Sequence, residues 1–158
     1  MAGLSHTDAA GAARMVDVTG KVASARVAVA TGTVRTTAEV VGLLASNGLK
    51  KGDALATARI AGIMGAKRTP DLIPLCHPIS LSGVAVEFAL GDRHVDITAT
   101  ARTKDVTGVE MEALTAVAVA GLTLHDMIKA VDPAAVLDAV RLERKEGGKT
   151  GTWTRPEA

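Results

Sequence analysis

The sequence predicts an α+β fold of the ferredoxin-like, split β-α-β kind, with an antiparallel sheet and helices packed on one face. Three observations predict it. Strand-like and helix-like patterns follow one another in the order β-α(α)-β-β-α-β. Val84, Val86, Phe88 and Leu90 alternate along the chain, as do Val95, Ile97, Ala99 and Ala101, and Gly91-Asp92-Arg93 between them reads as the turn of a hairpin. A long Ala- and Leu-rich helical stretch then separates this hairpin from a last strand.

Taken in order, Ser24 to Val34 is short-chained and β-branched, which suits a first strand. Thr36 and Glu39 have the Thr-x-x-Glu spacing of a capping box and open a helix that ends near Asn47-Gly48, where glycine suits the C-terminal cap. Lys50-Lys51-Gly52-Asp53 is a tight connection, and Asp53 is placed to cap a second helix running to Gly65. Lys67 to Pro78 carries three prolines and reads as irregular. After the hairpin, Thr107 and Glu110 repeat the capping-box spacing ahead of the long helix, which stops before Asp132-Pro133. Val136 to Lys145 is the last strand, and Gly147-Gly148 starts a loose tail. The organisation expected is a flexible N-terminal arm over 1–14, a single catalytic domain over 15–151 and a C-terminal tail over 152–158.

Composition narrows the function classes. The chain has 158 residues and is 47% hydrophobic, enough for one domain with a core. Phe88 and Trp153 are its only aromatic residues besides histidine, so small aliphatic side chains must fill that core and its elements must approach closely. A net charge of +1 gives no global field toward nucleic acid or a membrane. An RNA-binding module of this fold would need stacking aromatics on its sheet, and they are missing. The N-terminus lacks the apolar run of a signal peptide. The longest apolar candidate, Val109 to Val131, is interrupted by Glu110, Glu112, His125, Asp126 and Lys129. A single cysteine, Cys76, excludes an internal disulfide and suits a reducing cytoplasm.

Four motifs bear on chemistry. Cys76-His77 lies between Pro74 and Pro78 in Leu72–Leu81, "LIPLCHPISL". With no second cysteine and with His6, His94 and His125 scattered, a zinc site lacks ligands. Neighbouring side chains on extended backbone point apart, which also weakens a Cys-His nucleophile. What remains is a stiff loop that presents His77 to a ligand, against an incidental histidine beside a buried cysteine. Gly147-Gly148-Lys149-Thr150 ends like a P-loop, but Glu143 stands where that motif needs glycine. It is therefore a segment closing on phosphate or a solvated tail. Glu110 is explained by capping, whereas Glu112 is either a surface residue near a helix N-terminus or a carboxylate for a guanine-type edge, which offers a ring N–H beside an amino group. Asp126 and Lys129 are three apart on one helix face, either an ordinary ion pair or a carboxylate orienting a catalytic amine.

Together these segments resemble the cyclic pyranopterin monophosphate synthase family, the molybdenum cofactor biosynthesis protein C family. The blocks are "MVDVTGK" (Met15–Lys21), "KKGDALATARIAGIMGAKRTPDLIPLCHP" (Lys50–Pro78), "TGVEMEALTAVAVAGLTLHDMIKAVD" (Thr107–Asp132) and "RLERKEGGKTG" (Arg141–Gly151). The resemblance covers Met15 to Gly151. His125 stands where the family usually has Tyr, and Ile128 where it often has Cys. The resemblance implies a lyase that converts 3′,8-cyclo-7,8-dihydroguanosine 5′-triphosphate to cyclic pyranopterin monophosphate with release of diphosphate. It assigns Lys51, His77, Glu110, Asp126 and Lys129 to catalysis, and Leu75, Cys76, His77, Met111 and Glu112 to substrate binding. Lys21, Arg26, Lys67, Lys145 and Lys149 are the cations expected around the triphosphate. No cofactor or metal site is required, although Mg²⁺ can accompany the triphosphate. The partners implied are the small-molecule substrate and further copies of the chain, in a hexamer built as a trimer of dimers. The alternative is a non-catalytic ferredoxin-like module that binds a phosphorylated metabolite.

Overall fold

A computed structural model describes residues 6–157. Residues 1–5 of the expected arm and 158 of the expected tail lie outside the described residues. Five strands, β1 (Ser24–Arg35), β2 (Leu81–Leu90), β3 (His94–Asp105), β4 (Val136–Glu146) and β5 (Trp153–Thr154), form one antiparallel sheet in the order β2-β3-β1-β4-β5. The first four strands have the ferredoxin-like arrangement, with β1 and β3 central. Helices α1 (Ala38–Ala45), α2 (Ala54–Lys67) and the single turn α3 (Thr69–Leu72) lie between β1 and β2, and α4 (Glu110–Ile128) lies between β3 and β4.

The sheet has one buried face because its strands alternate. Ala28, Ala30 and Val34 of β1 and Val95, Ile97, Ala99 and Ala101 of β3 are buried beneath the helices. Helix α4 crosses β1, β3 and β4, and α2 lies beside it over β2. By length and composition α4 could span a membrane, but here it is a core helix: Ala113, Ala116, Val117, Ala120, Leu124 and Ile128 are all buried.

Small residues make the α2–α4 contact. Ala58, Gly62, Gly65 and Ala66 of α2 are buried. A Cβ at Gly62 would lie 2.9 Å from the Ala116 carbonyl oxygen and 3.1 Å from the Ala120 Cβ. The nearest atom is a backbone oxygen, and the Ala120 methyl beside it has no rotamer by which to yield. Gly62→Val is expected to lower stability by about 1–3 kcal/mol through overpacking, read as a fall in the urea midpoint with an unchanged slope.

Caps and ends differ from the sequence expectation in several places. Asp53 caps α2 as expected, accepting from Ala56 N–H at 2.9 Å. The cap of α1 is Thr37, not Thr36: Thr37 Oγ1 accepts from Val40 N–H, while Thr36 donates to Asp132 Oδ2 at 2.7 Å. Helix α4 starts at Glu110 with Val109 as its cap residue and no side-chain cap bond, so Thr107 and Glu110 form no capping box. The stretch expected to be irregular contains α3. The expected loose tail returns as β5, where Arg144 pairs with Thr154 and Lys145 with Trp153.

Candidate active site

The N-terminal end of α4 opens onto a cleft of about 270 Å³ lined by His6, Val16, Val18, Lys21, Leu75, Cys76, His77, Thr107, Gly108, Glu110, Met111 and Glu112. The loop after α3 supplies one wall. Cys76 N–H bonds back to the Ile73 carbonyl, closing a turn around Pro74, and Cys76 and His77 both line the cleft. His77 Nε2 lies 2.8 Å from the Val16 carbonyl oxygen. A carbonyl only accepts, so Nε2 carries the proton, and in the neutral ring Nδ1 is left as an acceptor.

Glu112 is the unusual group. It is 3% exposed. Burial pushes its carboxyl up to about 7, with the nearby Glu110 adding to the shift and a backbone N–H opposing it. Burial, and then the charge of Glu112, also raise the Cys76 thiol above its ordinary value, which disfavours a thiolate nucleophile. Between about pH 4.5 and 7 the folded chain holds a Glu112 proton that the unfolded chain releases, so stability falls as pH rises through that window. Glu112→Gln is therefore expected to stabilise the ligand-free protein by up to about 3 kcal/mol at pH 8 and to change it little at pH 4. Denaturation at both pH values checks this.

A second groove, of about 550 Å³, is lined by Gly20, Lys21, Val22, Ser24, Arg26, Gly148 and Lys149. Lys21 lines both spaces, so the carboxylate cleft and the basic groove adjoin. Arg26 is held in place: Nε donates to the Asp105 carbonyl and Nη2 to the Val106 carbonyl, each at 3.2 Å. Of the other expected cations, Lys145 pairs with Glu110 at 3.1 Å, and Lys67, in the last turn of α2, lines neither space.

Lys51, Asp126 and Lys129 meet at the opposite end of α4. Lys51 Nζ donates to Asp126 Oδ2 at 2.9 Å and to the Asp126 carbonyl at 2.8 Å, while Lys129 Nζ lies 2.8 Å from Oδ1. Each carboxylate oxygen thus holds one ammonium. The Lys129 hydrogen bond, then the Lys51 hydrogen bond and both charges, depress the Asp126 carboxyl to about 2. Asp126 is therefore ionised at any pH near neutrality. The Asp126 carbonyl is one of the orphan acceptors of the helix end, and Lys51 satisfies it.

Glu110 and Asp126 both lie on α4, which runs unbroken from Glu110 to Ile128. Sixteen residues at 1.5 Å each separate them by about 24 Å. One chain therefore presents two separate clusters, a carboxylate cleft with its basic groove at one end of α4 and a two-lysine cluster at the other.

The sequence pattern of the MoaC family matches residues 15–148. The chain belongs to the MoaC family. Its relatives include the cyclic pyranopterin monophosphate synthase of Streptomyces coelicolor, 66% identical over 152 residues that cover 96% of this chain and 89% of that protein. The cyclic pyranopterin monophosphate synthase 2 of Mycobacterium tuberculosis is 64% identical over 152 residues, covering 96% of this chain and 91% of that protein. The cyclic pyranopterin monophosphate synthase of Corynebacterium glutamicum is 57% identical over 154 residues, covering 98% of this chain and 99% of that protein.

Within this family member, Leu75, Cys76, His77, Glu110, Met111 and Glu112 line one cleft. The third member of the lysine cluster was not legible from spacing. Asp126 and Lys129 are neighbours on a helix, but Lys51 joins them from 75 residues away. His6 was also missed as a lining residue. It belongs to a short segment folded on itself, in which Asp8 Oδ1 accepts from Ala10 and Ala12 N–H and Arg14 N–H donates to the His6 carbonyl.

Proposed function

We propose that this chain is a cyclic pyranopterin monophosphate synthase: it converts 3′,8-cyclo-7,8-dihydroguanosine 5′-triphosphate to cyclic pyranopterin monophosphate and diphosphate, in molybdenum cofactor biosynthesis. The observation that carries this reading is the junction at Lys21 of a cleft holding a buried carboxylate and a groove flanked by cations. A guanine-derived ring presents N–H donors to a carboxylate such as Glu112 and to backbone groups of Leu75, Cys76, His77 and Met111. The attached triphosphate then runs past Lys21 toward Arg26 and Lys149.

The chemistry needs proton transfers at the base and sugar, and then attack of a sugar hydroxyl on the α-phosphorus. The bond from that phosphorus to the oxygen bridging to the β-phosphate breaks, and diphosphate leaves. Lys51 and Lys129 exchange the protons, and Asp126 keeps both ammoniums oriented. His77 hydrogen-bonds a phosphate oxygen or a ring heteroatom. To donate from Nδ1 while Nε2 keeps the Val16 carbonyl, its ring must carry a second proton. Glu110 completes the set, with its carboxylate balanced by Lys145 in the free protein.

The 24 Å between Glu110 and Asp126 exceeds the reach of side chains converging on one small molecule, and α4 contains no proline to bend it. In this proposal each active site therefore takes the two ends of α4 from different chains, within a hexamer built as a trimer of dimers. Exposed apolar residues support association: Ile60 and Met64 on α2, Leu72 on α3 and Leu122 on α4, the last 63% exposed. The reaction is assigned to the cytoplasm, the compartment that the lone cysteine suits. It needs no resident cofactor, and the triphosphate can bring Mg²⁺ with it.

The test is direct. The purified chain, given the cyclic dihydro-GTP substrate, should release diphosphate and form the cyclic phosphate. Binding of that substrate without diphosphate release would instead indicate a non-catalytic metabolite-binding module.

A further inference from the structure

Among the described residues, Ser24 Oγ is the single buried side-chain oxygen or nitrogen with no hydrogen-bond partner. Buried hydroxyls are nearly always paired, so an orphan calls for a physical explanation. Ser24 also lines the basic groove with Lys21, Arg26 and Lys149. It lies two residues before Arg26 on β1, and two-residue spacing puts both side chains on the same face of the sheet.

We propose that Ser24 is a further substrate-binding residue, whose hydroxyl donates to a phosphate oxygen of the triphosphate held in this groove. The inference rests on the reading of the groove as the triphosphate site and adds a neutral donor to its cations. The surroundings fit an anion of that kind. Among the described residues no carboxylate lines the groove, and the hydroxyl has a proton to give and finds no acceptor. Two backbone carbonyls fix the Arg26 guanidinium, so the groove is partly preorganised before a ligand arrives. Gly148 of the Gly147-Gly148 pair also lines the groove. Both residues have positive φ, and a Cβ on Gly148 would run into the Arg26 guanidinium. That segment can approach Ala25 and Arg26 so closely because it has no side chains there.

The experiment uses the full chain, inorganic tripolyphosphate as probe, and Ser24→Ala beside Lys149→Ala. Ser24→Ala should leave the melting temperature of the free protein unchanged or slightly higher, because it removes an unpaired buried hydroxyl. It should weaken tripolyphosphate binding about tenfold in calorimetry, the effect of losing one hydrogen bond to a charged group. The KM for the cyclic substrate should rise in step. If Ser24→Ala binds tripolyphosphate as wild type does while Lys149→Ala binds it more weakly, the role of Ser24 is overturned and the groove reading stands. If the wild-type protein fails to bind tripolyphosphate, the groove reading falls and the role of Ser24 falls with it. A melting temperature several degrees lower for ligand-free Ser24→Ala would show that the hydroxyl serves the fold, which also overturns the proposal.

Discussion

Lys51→Ala and Lys129→Ala are each expected to yield a folded protein whose turnover is lower by roughly 10²–10⁴-fold, the range of a lost general acid or base. Neither lysine fills the core, and both are about half exposed. Exposed ion pairs contribute roughly 1 kcal/mol or less to stability, so the denaturation midpoint should barely move while product formation collapses. The two variants should not behave identically. Lys51 also satisfies the Asp126 carbonyl at the helix end, so its loss should cost slightly more stability than the loss of Lys129. In either variant Asp126 keeps one ammonium of its two, and its carboxyl should rise from about 2 toward the ordinary carboxylate range. Carboxylate titration by NMR would register that rise. Diphosphate release then reads the catalytic loss. Near-wild-type turnover by either variant would remove that lysine from the mechanism.

Local chemistry made much of the fold legible. The hairpin follows from two alternating runs around Gly91-Asp92-Arg93, and the start of α2 follows from one aspartate whose side chain reaches a helix N–H. The errors came where two residues offered the same local chemistry or where a distant partner decided. Thr36 and Thr37 can each cap a helix; Thr37 does so because Asp132, 96 residues on, takes the Thr36 hydroxyl. Glu110 suited a capping box by spacing, but Lys145 on β4 draws its carboxylate into an ion pair. Strand β5 has two residues, too few for any periodicity, and its pairing to β4 is what creates it. The site divides in the same way. Asp126 and Lys129 are legible because helix geometry brings them together. The approach of Lys51 depends on how the connection before α2 meets the end of α4, and no local pattern encodes that. The orphan hydroxyl of Ser24 is visible only once its surroundings are known to offer no partner.

The second large effect concerns assembly. Glu110→Ala and Asp126→Ala should each abolish most turnover on their own, since each removes a group that the proposed mechanism uses. The two variants should nevertheless rescue one another. If a site takes Glu110 from one chain and Asp126 from its neighbour, a mixture of the two variants contains interfaces with neither defect. With equal amounts and free exchange across a two-fold interface, about a quarter of the sites are intact. If instead both residues served a site within one chain, every site in the mixture would carry a defect, because every chain does. The measurement is diphosphate release from the cyclic substrate after subunit exchange, with exchange itself verified by differently tagged chains recovered together. Recovery of roughly a quarter of wild-type activity is the predicted result; no recovery despite demonstrated exchange would contradict a site shared between chains.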